Sequence, residues 1–156
     1  MPRRAAPADV ADIVALYHSV WHETQSSFMP AEEIARRTIP FFVERITGLL
    51  QTTLVEERSG SIAGFSSWSG HLLGQIFVAP AFRGSNLATD LMAASERAMA
   101  LEGVTQAELH CVVGNRRARH FYERMGWRHE GESLEKVAGP GGDVDVLFWC
   151  MRKSLR

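Results

Sequence analysis

Apolar residues recur along this chain with two periods, and the switches between those periods mark out its elements. Residues 2–6 suit a short first strand ended by Pro7. From Asp9 the positions Val10, Ile13, Val14, Leu16, Tyr17, Val20 and Trp21 recur at helical spacing. A polar stretch from Thr24 to Met29 predicts a loop, and Pro30 suits the start of a second helix carrying Ile34, Ile39, Phe41, Phe42, Ile46 and Leu49. Pro40 should kink or split that helix, because an interior proline removes a helix hydrogen bond.

Thr52–Glu57 and Ile62–Trp68 read as strands around the hairpin signal Arg58-Ser-Gly-Ser61, and Leu72–Ala79 as a third strand after the turn residue Gly70. Asn86–Glu102 carries Leu87, Leu91, Ala94, Ala98 and Leu101 on one helical face and stops at Gly103. Gln106–Val113 is a strand, Asn115–Met125 a helix stopped by Gly126, and Trp127–Val137 a strand. Gly139-Pro-Gly-Gly142 reads as a loop before the last strand, Val144–Met151. The order β-α-α-β-β-β-α-β-α-β-β predicts an α/β fold: a mixed, centrally parallel sheet flanked by helices. With no repeat, linker or low-complexity segment, residues 1–156 are expected to form one domain.

Composition narrows the function classes. At 46% apolar and 22% charged residues the chain is of ordinary globular make-up, and its formal charge of −1 gives no footprint for nucleic acid. No stretch approaches the roughly 18 apolar residues needed to span a bilayer, and Met-Pro-Arg-Arg-Ala-Ala lacks the apolar run of a secretion signal. A cytoplasmic protein without nucleic-acid or membrane partners is expected. Cys111 and Cys150 lie in strand-like runs without metal-ligand spacing, which predicts buried, reduced thiols. His18, His22 and Glu23 share a helix but lack a third ligand at recognisable spacing, so no metal site is expected.

Candidate chemistry concentrates in two segments. In Ile76-Phe-Val-Ala-Pro-Ala-Phe-Arg-Gly-Ser-Asn-Leu-Ala-Thr89 an apolar strand runs through a turn into a helix start. The first N–H groups of that helix have no partners within it, and with the positive end of its dipole they suit phosphate oxygens. The second segment is Asn115-Arg-Arg-Ala-Arg-His-Phe-Tyr-Glu-Arg-Met-Gly-Trp127.

Together, Val78-x-Pro80-x-x-Arg83-Gly84 and Asn115-x-x-Ala118-x-x-Phe121-Tyr122-x-x-x-Gly126-Trp127 resemble the GNAT superfamily of acetyl-CoA-dependent N-acetyltransferases. The likeness runs from Leu54 onward, about two-thirds of the chain. It implies acetyl-CoA as cofactor, no metal, and direct transfer of acetyl to a primary amine. Phe77 and Val78 would lead the cofactor in, and residues Arg83, Gly84, Ser85, Asn86, Leu87, Ala88 and Thr89 would hold its pyrophosphate. The family loop usually has glycine where Asn86 stands; asparagine is the next residue most tolerant of a left-handed backbone, and its side chain would have to point away.

The resemblance also assigns roles in the second segment. Asn115 would cap the helix, contact the pantetheine arm, or both. Ala118 and Tyr122 share a face, the small residue leaving room for the arm and the Tyr122 phenol protonating the departing thiolate. Attack requires a neutral amine. His110 is the candidate base; a water chain or a substrate already neutral are the alternatives, since Gln75 stands where many members have glutamate and an amide takes no proton. Trp21, His22 and Phe28 are expected to wall the acceptor pocket, although core packing explains Trp21 equally well. Arg116, Arg117 and Arg119 would lie near the 3′-phosphate or be solvated, and Asp143 and Asp145 would face solvent or attract a cationic acceptor.

A small-molecule amine is the preferred acceptor, with a protein N-terminus or lysine as the alternative. A non-catalytic acyl-CoA-binding or sensing domain is the rival from another class. Homodimers are common in the family, and nothing in this chain decides the matter.

Overall fold

The computed structural model describes residues 1–139 and 142–156. Strand β1 (Arg3–Arg4) leads through a short 3-10 turn into helix α1 (Val10–Gln25), which runs past the expected loop start at Thr24. Pro40 splits the next helical segment into α2 (Ala31–Arg36) and α3 (Ile39–Leu49). It sits in the first turn of α3, where its missing N–H costs no helix bond. Strands β2 (Thr53–Arg58), β3 (Ser61–Ser69) and β4 (Leu72–Val78) form a meander. Helix α4 (Leu87–Leu101), strand β5 (Gln106–Val112), helix α5 (Arg116–Arg124) and strands β6 (Arg128–Gly139) and β7 (Gly142–Ser154) complete the chain. Of the glycine-rich loop expected at 139–142, the middle residues 140 and 141 lie outside the described residues.

The seven strands form one sheet in the order β1-β2-β3-β4-β5-β7-β6. Its one parallel pairing among the described residues, β4 with β5, lies in the middle, as the helix between those strands requires. The second strand-helix-strand unit differs from a simple crossover between neighbours. β7 lies between β5 and β6 and is antiparallel to both.

Two apolar clusters hold helices to opposite faces of the sheet. On one, α1 and α3 contribute Ile13, Val14, Tyr17, Trp21, Phe42 and Ile46 against Val55 and Phe65. On the other, α4 sets Leu87, Leu91, Met92 and Met99 against Leu73, Ala107, Leu109 and Met151. Gly64 makes the second contact close: a Cβ there would stand 2.5 Å from Leu87 Cδ2 and 3.1 Å from the Phe77 carbonyl oxygen. The start of α4, and the loop before it, is therefore seated against β3 and β4.

Candidate active site

β4 and β5 begin as neighbours and then part. Only Leu72 and Leu73 pair across to Glu108 and Leu109. On its other side β4 carries a bulge, since Ser67 pairs with Gln75 but Trp68 with Leu73, leaving Gly74 as the extra residue. A bulge bends its strand and breaks the ladder locally. Beyond it, Gln75–Val78 and His110–Val112 line a cleft of about 770 Å3.

One end of the cleft is the turn into α4. Gly84 has φ +82° and nothing within 4 Å of a Cβ placed on it, so the backbone there is left-handed and open. Asn86 sits at φ −83°, an ordinary conformation, with its side chain exposed and making no capping hydrogen bond. The left-handed backbone expected at Asn86 is thus supplied two residues earlier. The first ladder bond of α4 joins the Asp90 N–H to the Asn86 carbonyl. The N–H groups of Leu87, Ala88 and Thr89 fall outside the ladder, that of Leu87 reaching only Ser85 Oγ at 3.4 Å. This donor set, with a helix dipole behind it, fits a pyrophosphate.

Arg83, Gly84, Ser85, Ala88 and Thr89 line the cleft, as do Phe77 and Val78. Leu87 does not: its side chain is fully buried in the core, leaving only its backbone to face a ligand. Asn86 is not part of the lining either. Across the cleft, Asn115 Oδ1 accepts from the Ala118 N–H at 3.3 Å, so Asn115 caps α5 while also lining the cleft. Ala118, Phe121 and Tyr122 line the same wall, with Phe121 also packed on the core. Burial pushes the Tyr122 phenol up, and the neighbouring Cys111 adds to the rise. Burial likewise pushes the Cys111 thiol up to about 12. Phenolate and thiolate are both disfavoured by burial on this wall, so the surroundings do not by themselves widen the gap between an acid at Tyr122 and a departing thiolate.

The floor of the other half is set by β5 and β7. His110 Nε2 lies 2.7 Å from Glu108 Oε2, and Arg152 Nε donates to Glu108 Oε1 at 3.0 Å. Burial would raise the Glu108 carboxyl, but the hydrogen bonds from His110 and Arg152 together outweigh it and hold the group below the usual range. Cys150 pairs with His110 across the strands, and ligand atoms of Glu108, His110 and Cys150 lie within 4.8 Å of one another. Both cysteines are free; Cys111 is buried, whereas Cys150 is half-exposed rather than buried as expected. Gln75 also lines the cleft, its Oε1 buried without a hydrogen-bond partner among the described residues.

Of the three residues expected to wall the acceptor side, Trp21 lines the cleft and is 6% exposed. His22 instead meets the Arg37 carbonyl with Nε2 at 2.9 Å. Phe28 covers Gly114, whose absent Cβ would stand 2.9 Å from its ring. Phe28 lies in the 3-10 turn after α1, beside the cleft-lining Asn115 but not part of the lining itself. The wall is completed by Tyr17, Arg37, Arg45, Leu72 and Phe148, which the sequence did not single out as site residues. Of the arginines on α5, Arg117 lines the cleft, whereas Arg119 lies over the Trp149 ring at 4.7 Å. Asp145 pairs with Lys136 at 3.2 Å.

A sheet splayed beside a bulge, with a phosphate-suited helix start at its mouth, defines an acyltransferase-type cleft. The profile of the acetyltransferase (GNAT) family matches residues 13–127. Solved structures agree in fold along the whole chain. A GCN5-related N-acetyltransferase from Rhodopseudomonas palustris superposes with a TM-score of 0.77 at 21% identity, covering 99% of this chain and 94% of its own. A ribosomal-protein-alanine N-acetyltransferase from Brucella melitensis gives 0.70 at 20%, covering 99% of each chain. YncA of Salmonella typhimurium, a putative acetyltransferase solved with acetyl-CoA, gives 0.69 at 17%, covering 100% and 94%. The chain belongs to the GNAT acetyltransferase family. It is an N-acetyltransferase, and its acetyl donor is acetyl-CoA.

Proposed function

We propose that this enzyme acetylates a primary amine on a small molecule by direct attack of the amine on the thioester. The observation that carries the reading is the continuity of the cleft, which joins the phosphate loop to the His110 floor through the gap between β4 and β5. Acetyl-CoA supplies an activated carbonyl. The backbone N–H groups of Leu87, Ala88 and Thr89, with the open turn at Gly84, hold the pyrophosphate, and the β4 backbone beyond Gly74 receives the pantetheine arm opposite Asn115 and Ala118. Gln75 Oε1 accepts a hydrogen bond from the amine, which would relieve a cost of about 1–3 kcal/mol for a buried acceptor left unmatched.

His110, oriented by Glu108, takes the proton that the amine sheds. Tyr122 then protonates the sulphur as it leaves. Aromatic walls from Tyr17, Trp21 and Phe148 support a compact acceptor over a protein chain, the acceptor in the name of the Brucella neighbour. The test follows free thiol on incubation with acetyl-CoA and a panel of amines, beside calorimetry of acetyl-CoA binding. Turnover with at least one small amine is expected. Binding without turnover across a broad panel would favour the sensing domain, and turnover confined to peptides would favour a protein acceptor.

A further inference from the structure

Three metal-ligating side chains converge beside the cleft. Glu108 and His110 are two apart on β5 and so share a face of the sheet, and Cys150 lies opposite His110 on β7. Ligand atoms of all three lie within 4.8 Å of one another, and among the described residues no other three His, Cys, Asp or Glu side chains gather so closely. Cys150 is remote from the other two along the chain, so only the strand register brings it there.

The backbone holds this group firmly. β5 and β7 are interior strands that pair without a break from Gln106 and Ser154 to Val112 and Phe148. Glu108 is the hub. Its Oε2 lies 2.7 Å from His110 Nε2, its Oε1 accepts from Arg152 at 3.0 Å, and the Cys150 thiol also hydrogen-bonds to it. Arg152 thus engages one oxygen and leaves the other turned to the imidazole, the part an outer-shell partner plays in a metal site. The side chains of Glu108 and His110 are 16% and 18% exposed, and His110 lines the cleft, which gives an ion a way in.

An imidazole, a thiolate and a carboxylate together suit zinc, which takes such ligands at about 2.0–2.3 Å in a tetrahedral arrangement. Ligand atoms then stand about 3.3–3.6 Å apart. The 2.7 Å contact opens and the wider separations close by roughly an ångström to reach this, an adjustment of side chains on a fixed ladder.

We propose that Glu108, His110 and Cys150 form a zinc site, and that zinc bound there switches off acetyl transfer. On binding, the thiol proton of Cys150 passes to solvent and His110 ligates as the neutral imidazole. The two anionic ligands exceed the single positive charge of the half-exposed Arg152. Zinc then occupies the imidazole nitrogen lone pair that would otherwise take the amine's proton. The switch rests on the reading of His110 as the base; the site itself does not.

The test adds cobalt(II), as a spectroscopic stand-in, and then zinc to the full chain. Cobalt should bind at one ion per chain with a thiolate-to-metal charge-transfer band, and zinc should displace it. Zinc should also protect Cys150 from alkylation by iodoacetamide, read from the mass of the peptide that carries it. Cys150→Ser should weaken zinc binding by about 100-fold or more, since loss of an outer-shell partner alone costs about 10- to 100-fold. With acetylated product measured directly, and zinc kept above the CoA released, zinc should abolish turnover and a chelator restore it. The half-inhibiting zinc concentration should rise with Cys150→Ser by the same factor as the affinity falls. Metal bound without the thiolate band, or Cys150 alkylated at an unchanged rate, puts the ion elsewhere, as at His18 and His22 with ring centres 4.4 Å apart, and overturns the site. Full turnover with zinc bound overturns the switch. If no amine is turned over even without metal, the transferase reading fails, while the cobalt band and the protection of Cys150 still decide the site.

Discussion

Arg83 and Glu23 join the phosphate loop to the last turns of α1 through a two-pronged ion pair, with Nη1 donating to Oε2 at 3.1 Å and Nη2 to Oε1. One side chain of the donor end is thereby tied to the helix that walls the acceptor end. The pair is partly exposed and contributes little to stability. It does place a carboxylate close to where phosphates bind. Glu23→Gln removes that charge and should lower the KM for acetyl-CoA by about two- to fivefold at low salt, an effect that 0.5 M salt suppresses. An unchanged KM at low salt would show that Arg83 plays no part in donor binding.

Gly84 and Asn86 separate two roles that one glycine often serves. Gly84→Ala has space for its methyl group but must hold a left-handed backbone, which costs about 1–2 kcal/mol. Its melting temperature should fall and its acetyl-CoA affinity weaken. Asn86→Gly should leave that affinity within about twofold, since the backbone at this position is already ordinary. Calorimetry on the two variants separates them; a large gain from Asn86→Gly would contradict the assignment.

Tyr122→Phe keeps the packing of α5 and removes only the hydroxyl, the proposed proton donor. Its kcat should fall by about 100-fold or more, with acetyl-CoA binding retained. Steady-state rates beside calorimetric affinity give both numbers. Full turnover without the hydroxyl would take Tyr122 out of the proton pathway.

Glu108 adds a pH dependence to stability. Its folded pKa is depressed, so its contribution is fully present above the unfolded value of about 4.3 and is lost as pH falls through the folded value. Glu108→Gln should therefore melt below the native protein near neutral pH, and the difference should shrink as the solution is acidified below that unfolded value. A difference constant with pH would mean that the carboxylate charge does not act there.

Gly64→Ala probes the seat of α4. The added methyl group would press on Leu87 and Leu91, which can shift, and on the Phe77 carbonyl, which cannot shift without moving β4. Overpacking of this kind costs about 1–3 kcal/mol and should lower the melting temperature.

The periodicity of the chain made most elements legible, because each is local: apolar spacing marks the helices and Pro40 opens a new one. The place of β7 between β5 and β6 is a pairing choice between strands far apart in sequence, and no local pattern encodes it. The two motif segments make the proposed donor end legible because backbone geometry there follows from short-range residue order. The acceptor end was less legible. The spacing of Arg37 and Arg45 singles out neither, and folding sets both beside Phe41. His22 lies on α1 and meets the Arg37 carbonyl, while Phe28 lies in the 3-10 turn that follows, contacts that residue type and spacing do not encode.

The parting of β4 and β5 also divides the cleft by the kind of atom that does the gripping. Towards the start of α4 the walls offer backbone N–H groups, which nearly every residue type possesses alike, beside the side chains of Arg83, Thr89 and Arg117. Towards α1 and α3 they offer side chains, each replaceable by one codon change. Such a molecule can alter what it modifies while keeping its source of acetyl groups. Arg37 and Arg45 stand on the replaceable side of that divide.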